Sequence, residues 1–98
     1  ISPLKTFYTS VYRKDLEGAP AGGFQMENAL TREQTLRSIT IWAAKSGFEE
    51  NEKGSIEPGK LADFVVLDTD LMTCQESDIL KSKVLETVLR GKVVFKAN

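Results

Sequence analysis

The first part of the chain has apolar residues at helical spacing. Five of them follow the i, i+3, i+4, i+7, i+8 pattern of a helix that lies on a core: Leu4, Phe7, Tyr8, Val11 and Tyr12. Ser2 is placed to act as the N-cap, and Pro3 is tolerated at the first helical position because its missing N–H is not needed there. The pattern predicts a helix from about Pro3 to Lys14. The segment from Asp15 to Ala29 is rich in Gly and Pro and lacks periodicity, which predicts a surface loop.

A second helix is predicted to begin at Thr31. Thr31 and Gln34 have the spacing of a capping box, and Glu33 is favourable in the positive first turn. The apolar face that follows is broad and includes Leu36, Ile39, Thr40 and Ala43, widened by Ile41 and Trp42. Gly47 is placed to end this helix in a left-handed conformation. A helix that is apolar over so much of its circumference usually lies between two packed layers.

After the acidic connector Glu49 to Lys53, the pattern changes to period two or to continuous apolar runs, which predicts about four short strands. Glu57 to Lys60 has Pro and Gly where a type II turn prefers them. Phe64 to Leu67 is an unbroken apolar run, predicted to be a strand buried on both faces. The remaining predicted elements are a helical turn near Ser77 to Leu80 and the strands Val84 to Leu89 and Val93 to Lys96, joined by a tight hairpin at Arg90-Gly91.

Composition limits the class of protein. Ninety-eight residues allow one compact domain, and the formal net charge of −1, with both signs mixed along the chain, leaves no basic footprint for nucleic acid or anionic lipid. No apolar run approaches the roughly 20 residues that cross a bilayer, so we expect a soluble protein. Cys74 has no partner for an intrachain disulfide, which suits a reducing compartment and leads us to expect a cytoplasmic protein. Cys74 itself is interpreted as a small, semi-buried apolar residue.

The sequence contains no histidine. It therefore cannot build Ser-His-Asp or Cys-His catalysis, nor the Cys and His clusters of ordinary zinc sites. Gly54 to Leu61 nearly matches a phosphate-binding loop, but Leu61 replaces the hydroxyl residue and a strand follows instead of a helix, so a structural turn is the better interpretation. Asp68-Thr69-Asp70 resembles the opening of a calcium loop, yet Met72 stands at the third ligand position.

Two acidic features have structural explanations. The cluster Glu49, Glu50 and Glu52 could suggest paired carboxylates for acid and base work, but no apolar neighbourhood is evident, and a charged connector is the default interpretation. Asp63 lies at the mouth of an apolar strand and must find hydrogen-bond donors. We expect it to accept hydrogen bonds from the preceding turn around Gly59 to Leu61.

Several stretches together resemble one known superfamily. GSIEPGKLADFVVLD, from Gly54 to Asp68, resembles the strand pair that returns the chain to the small β domain of the amidohydrolase superfamily. LTREQTLRSITIWAAKSGFEE, from Leu30 to Glu50, is similar to the superfamily's final helix, and ISPLKTFYTSVYRKD, from Ile1 to Asp15, to the segment after its last barrel strand. With LRGKVVF, from Leu89 to Phe95, the likeness covers nearly the whole chain. The opening and the FEENEKGSIEPGK stretch resemble the branch of N-substituted formamide deformylases and D-aminoacylase-like proteins.

The resemblance implies an α+β fragment of a larger fold. Residues 1–52 would form helices from the end of a (β/α)₈ barrel, and residues 53–98 would contribute strands to a small composite β-sandwich. The first residue is Ile rather than Met, which also suggests a piece of a longer protein. The longer protein would be a metal-dependent hydrolase of non-peptide C–N bonds that uses zinc or another divalent metal. None of the superfamily's metal ligands falls at a position of this sequence, so the segment is expected to bind no metal and to have no catalytic residue.

The resemblance also suggests which residues bind substrate and which partners the chain has. Tyr12 and Arg13, before the glycine-rich loop, are the candidate substrate-binding residues, although an Arg at a helix end more often complements the negative helix terminus. The expected partner is the remainder of the longer chain, with self-association through exposed apolar helix faces as a further possibility. Two alternatives stay open: a stand-alone protein-interaction module without enzymatic activity, and a histidine-free carboxylate hydrolase that uses Glu49 and Glu50.

Overall fold

The computed structural model describes residues 2–98, which form helices and a three-stranded antiparallel sheet. It is therefore an α+β structure, as predicted. The helices are α1 (Pro3–Tyr12), α2 (Arg32–Ile39), α3 (Ile41–Ser46) and α4 (Glu76–Ile79), with a 3₁₀ turn at Met26–Asn28. The strands are β1 (Phe64–Leu67), β2 (Val84–Leu89) and β3 (Lys92–Lys96), in the order β1-β2-β3. The division into residues 1–52 and 53–98 stays a prediction.

Helix α1 forms where the apolar stripe predicts it and ends two residues earlier than expected. Ser2 occupies the N-cap position with extended backbone, but its side chain makes no capping hydrogen bond, so that part of the prediction is wrong. The helix ends at Tyr12 because Arg13 turns into the left-handed region, where its φ is 55° and its N–H donates to the Thr9 carbonyl.

The predicted second helix is divided into two. Its start is confirmed, since the Thr31 hydroxyl accepts from the Gln34 N–H and the Gln34 side chain accepts from the Thr31 N–H, each at 3.0 Å. At Thr40 the backbone leaves the helical region, with φ −122° and ψ −98°, and α3 begins at the next residue. The left-handed residue is Phe48, with φ 59°, and not Gly47, whose φ is −93°. The Phe48 N–H donates to the Lys45 carbonyl at 3.1 Å, and the Glu49 N–H donates to the Ala44 carbonyl at 2.8 Å.

The β half has three strands rather than about four. The hairpin at Arg90-Gly91 is confirmed, and both residues have positive φ, as a two-residue turn between antiparallel strands requires. The turn before β1 is also confirmed, with Gly59 at φ 90° and the Lys60 N–H bonded to the Glu57 carbonyl. The prediction that β1 is buried on both faces is wrong, because three of its four residues are exposed.

The buried core is small. Phe7, Tyr8 and Ile79 form its centre, where α1 meets α4. Partly buried apolar residues pack around this centre, namely Val11, Tyr12, Leu71, Cys74 and Leu80. The radius of gyration is 14.7 Å, above the roughly 13 Å of a compact domain of this length. Much of the apolar surface of α2, α3 and the sheet is therefore exposed in the structure of residues 2–98. No helix in this part of the chain is long and apolar enough to cross a membrane.

Candidate functional site

A polar cluster of Tyr8, Lys14 and Glu76 lies beside the small core, where α1 meets α4. Glu76, the first residue of α4, accepts a 3.0 Å hydrogen bond from the Tyr8 hydroxyl and a 2.8 Å hydrogen bond from the Lys14 ammonium. Tyr8 lies on α1 and Lys14 just beyond it, so the two donors lie more than sixty residues from Glu76 in sequence. The same oxygen, Oε2, accepts both bonds. The cluster therefore fixes α4 against α1 at one atom.

The charges of this cluster stabilise one another. The hydrogen bond from Lys14 lowers the pKa of Glu76, and partial desolvation opposes that effect. The hydrogen bond to Glu76 raises the pKa of Lys14, while burial raises the pKa of Tyr8. All three pKa values move away from neutral pH. The cluster is thus a fixed ion pair with a neutral phenol rather than a general acid or base.

A second polar cluster surrounds Arg32, the first residue of α2. Its Nη2 donates to the Tyr12 hydroxyl at 2.6 Å, and its Nη1 donates to the carbonyls of Leu71, at 3.1 Å, and Cys74, at 2.6 Å. The guanidinium also lies over the Tyr12 ring, with its central carbon 5.8 Å from the ring centroid. The hydrogen bond to Tyr12 is the main cause of the raised pKa of Arg32. Arg32 thereby connects α1, α2 and the segment before α4.

The two predicted substrate-binding residues, Tyr12 and Arg13, contact different parts of the chain. Tyr12 is turned toward Arg32, whereas the Arg13 Nε donates to the Phe24 carbonyl at 3.1 Å. The Phe24 N–H donates in turn to the Arg13 carbonyl at 2.8 Å, so Arg13 closes the loop that follows α1. Whether either residue contacts a substrate stays a prediction. The sequence analysis missed Arg32 and Glu76, because their partners are distant in sequence and no local motif marks them.

The other acidic residues make separate structural contacts. Asp63 Oδ1 accepts from the Arg90 N–H at 2.7 Å, so the prediction that it binds the preceding turn is wrong; Asp63 instead fixes the hairpin after β2. Glu49 forms an ion pair with Lys53 at 2.8 Å, as a connector residue would. Lys60 binds Ser55 Oγ and Glu57, which explains the GSIEPGKL stretch as a turn.

The residues present do not fit a catalytic metal. The sequence has no histidine, and residues 2–98 contain no group of three or more His, Cys, Asp or Glu side chains that could hold a metal ion. Cys74 is half-buried, with Sγ 3.8 Å from Arg32 Nη1, a cation that would oppose a metal ion beside the thiol. The donor set of this chain therefore cannot form a metal centre of the usual kind.

Two open grooves lie on the surface. One, of about 610 Å³, is bounded by the start of the loop at Leu16 to Gly18 and by α4, beside Glu76. The other, of about 700 Å³, runs between the α2–α3 pair and β1 and is lined mainly by apolar side chains. Leu36, Ile39, Ala43 and Phe64 contribute to its walls. The apolar groove separates the helical half from the sheet.

Three relatives are similar along most of this chain. An N-substituted formamide deformylase from Arthrobacter pascens is 36% identical over 90 residues, which are 92% of this chain and 16% of the relative. The protein LONG AFTER FAR-RED 3 from Arabidopsis thaliana is 34% identical, over 97% of this chain and 16% of its own length. A 5-methylthioadenosine/S-adenosylhomocysteine deaminase from Symbiobacterium thermophilum is 30% identical, over 88% of this chain and 20% of its own. The chain thus spans a fifth or less of these relatives.

The fold and a family profile agree with these relatives. The crystal structure of an amidohydrolase from Thermotoga maritima aligns with a TM-score of 0.61 and 33% identity, over 74% of this chain and 17% of the other. The sequence profile of the Amidohydrolase family matches residues 1–95. The chain therefore belongs to the amidohydrolase family.

Proposed function

We propose that this chain is the C-terminal part of a metal-dependent hydrolase that cleaves non-peptide C–N bonds, and that it is not catalytic by itself. The names of two relatives, a deformylase and a deaminase, support a C–N bond as the target. In this proposal α1 to α3 close the last side of a (β/α)₈ barrel, and β1 to β3 complete a composite sandwich. The metal supplies an activated water in such enzymes, and its ligands come from other parts of the protein.

The exposed apolar surface is the observation that carries the proposal. Phe48 is 92% exposed, Ile56 is 81% exposed and Trp42 is half-exposed. Phe48 is held in a left-handed conformation that is unfavourable for a bulky side chain. Exposed apolar side chains that form one patch mark an interaction surface. We infer that it packs against other segments of the same longer protein.

The chain's own residues then have supporting roles. Arg32 and Glu76 hold the helices and the segment before β2 in a fixed arrangement, as described above. Arg13 closes the loop of residues 14–23 by its bonds to Phe24. In the longer enzyme we expect this loop to lie near the substrate entrance, with Tyr12 and Arg13 beside it.

The first experiment tests whether the hydrolase activity requires the longer protein. The 98-residue chain is incubated with zinc and a panel of N-substituted formamides and N-acyl amines, and we expect no hydrolysis. The longer protein that contains this chain should hydrolyse members of the same panel and lose activity on chelation. Metal-dependent turnover by the short chain would contradict the proposal, as would a longer protein with metal-independent activity.

The second experiment tests the packing. Phe48→Asp should change the unfolding free energy of the 98-residue chain little, because Phe48 is exposed there. In the longer protein the same change should cost about 3 kcal/mol, the usual cost of placing a charge in an apolar contact. Glu17→Ala, at an exposed loop residue, is the control and should be neutral in both. Equal effects of Phe48→Asp in both proteins would favour a stand-alone interaction module instead.

The third experiment tests the substrate contacts. Tyr12→Phe removes only the hydroxyl, and Arg13→Asn keeps a residue that tolerates positive φ. Arg13→Asn in the longer enzyme should raise KM more than it lowers kcat if the guanidinium binds substrate. A change in unfolding free energy without any change in KM would assign both residues to structure alone.

A further inference from the structure

The segment of residues 69–82, between β1 and β2, has its two ends held together. The Asp68 N–H donates to the Lys83 carbonyl at 3.0 Å, and Asp68 Oδ1 accepts from the Lys83 N–H at 2.9 Å. The segment also has bonds of its own, such as the 2.9 Å bond from the Cys74 N–H to the Asp70 carbonyl. The two residues that flank the segment are therefore joined to each other, whatever the body of the segment contacts.

The body of the 69–82 segment lies against the helices. Its Ile79 side chain is 0% exposed and packs with Phe7 and Tyr8 of α1. Within residues 2–98, every hydrogen bond from residues 2–48 to a residue beyond position 60 ends on this segment. The bonds run from Arg32 to Leu71 and Cys74, and from Tyr8 and Lys14 to Glu76. The segment thus joins the helices to the sheet.

The two groups of polar contacts share one aromatic side chain. Arg32 and Lys14 both lie over the Tyr12 ring, with the central carbon of the guanidinium 5.8 Å and the ammonium nitrogen 5.9 Å from its centroid. The centroid of the Tyr8 ring is 5.6 Å from that of Tyr12. Residues that share a partner in this way are coupled energetically. Loss of the Arg32 contacts should therefore weaken the contacts of Glu76, and the reverse.

We propose that residues 69–82 open and close as one unit against α1 and the start of α2, while the strands stay paired. In the open form, Ile79 leaves Phe7, and Arg32 and Glu76 lose their contacts together. Because Asp68 and Lys83 stay joined, opening requires no strand to separate. Compact loops whose ends lie close together are known structural units, and local opening of such units is a general property of folded proteins. The inference does not depend on the proposed hydrolase activity.

Amide hydrogen exchange of the 98-residue chain, followed residue by residue by NMR, tests this. Arg32→Lys keeps the charge, but an ammonium group cannot reproduce the contacts of the guanidinium fork with three acceptors. Glu76→Gln removes the ion pair with Lys14. Arg37→Lys and Glu33→Gln are the matched controls, since these two residues form an exposed pair with each other.

The decisive amides are those far from each substitution. Arg32→Lys should speed exchange of the Lys81 and Ser82 amides by about tenfold, although Arg32 contacts only the other end of the segment. Glu76→Gln should speed exchange of the Cys74 amide by a similar factor. Exchange in β2 and β3 should be unchanged in both variants, and the controls should exchange like the parent throughout.

Three outcomes would overturn the proposal. Faster exchange confined to the end that each substitution touches would mean two independent contacts. Equal acceleration in the segment and in the strands would mean that the chain opens only as a whole. Unchanged exchange in both variants would mean that neither contact limits opening.

Small-angle X-ray scattering gives a second, independent measurement. The double variant Arg32→Lys/Glu76→Gln should have a larger radius of gyration than the parent, whose Cα value is 14.7 Å in the closed form. Its far-UV circular dichroism should be unchanged, because the helices and strands stay intact. The control double variant Arg37→Lys/Glu33→Gln should scatter like the parent. A double variant as compact as the parent, or one that has lost its circular dichroism, would contradict an open form with paired strands.

Discussion

The Tyr12 hydroxyl accepts a 2.6 Å hydrogen bond from Arg32 Nη2, which joins the last residue of α1 to the first residue of α2. The other terminal nitrogen of the same guanidinium binds the carbonyls of Leu71 and Cys74. One side chain thus connects three segments around a core that is otherwise small. This makes Arg32 a main determinant of how the helical half is arranged.

Arg32→Ala should therefore lower the unfolding free energy by about 2 kcal/mol, because charged hydrogen bonds to half-buried acceptors are lost together. Urea unfolding followed by circular dichroism measures the change. Arg37→Ala is the matched control, since Arg37 lies on the same helix and makes only an exposed pair with Glu33 at 3.1 Å. That pair should contribute less than about 0.5 kcal/mol. Equal losses in the two variants would contradict the role given to Arg32.

The Glu76 cluster predicts an acid-sensitive contact between α1 and α4. The pKa of Glu76 lies below its ordinary 4.5 in the folded chain, mainly through the hydrogen bond from Lys14. A group whose pKa is lowered by folding stabilises the fold above its unfolded pKa and loses that contribution as pH falls through the folded value. Stability should therefore decrease as pH falls below about 4.5, the ordinary pKa of Glu76.

Glu76→Gln isolates this contribution. The variant should be less stable than the parent near neutral pH, and the difference should shrink as the pH falls below 4.5. Unfolding free energies measured at a series of pH values give the comparison. Asp15 and Asp68, whose pKa values are also lowered, keep some acid sensitivity in the variant. A constant difference between the two proteins at every pH would show that the ionised form of Glu76 is not what stabilises the contact.

The elements that depend on local patterns could be predicted from the sequence. The capping box at Thr31 and the turn at Arg90-Gly91 act through residues within a few positions, and both are as expected. The interruption at Thr40 could not be predicted, because the apolar stripe continues through it. The prediction that β1 is buried is wrong for a different reason. An apolar run indicates a strand that can be covered, while its burial depends on which segments are present to cover it.

The polar clusters could not be predicted from the sequence, because their members are far apart along the chain. Glu76 meets Tyr8 across 68 positions, and Arg32 meets Cys74 across 42. Asp63 was correctly expected to need a donor, but the donor is the N–H of Arg90, 27 positions later. Only the pairing of β1 with β2 brings these two residues together, so a local interpretation selected the wrong turn.

Gly54, the residue after the Glu49–Lys53 connector, lies against α3. A Cβ at this position would lie 2.8 Å from the Ala44 Cβ and 2.9 Å from the Ile41 Cα, and the backbone has φ 98°. Gly54→Ala should lower the unfolding free energy by about 3 kcal/mol, through overpacking and backbone strain together. Gly59→Ala is the control, since Gly59 has φ 90° but open space around it. It should lose only about 1 kcal/mol, from strain alone, and a similar loss at both positions would show that the close approach contributes nothing.

Arg90 offers a change that should stabilise the sheet. It is the first turn residue of the hairpin between β2 and β3, with φ 52°, and Gly91 follows with φ 79°. Asn tolerates this region better than Arg, and Asn-Gly is the preferred pair for a two-residue turn with two positive φ values. The Asp63 carboxylate binds only the backbone N–H of residue 90, so Arg90→Asn keeps that bond.

We expect Arg90→Asn to raise the unfolding free energy by about 0.5 kcal/mol. Chemical denaturation of the 98-residue chain would measure it, with Lys92→Gln as the control for loss of one positive charge at the same hairpin. The gain should be accompanied by slower amide exchange in β2 and β3, since the turn limits how often the hairpin opens. A loss of stability would mean that the Arg90 side chain makes a contribution larger than the strain of its backbone.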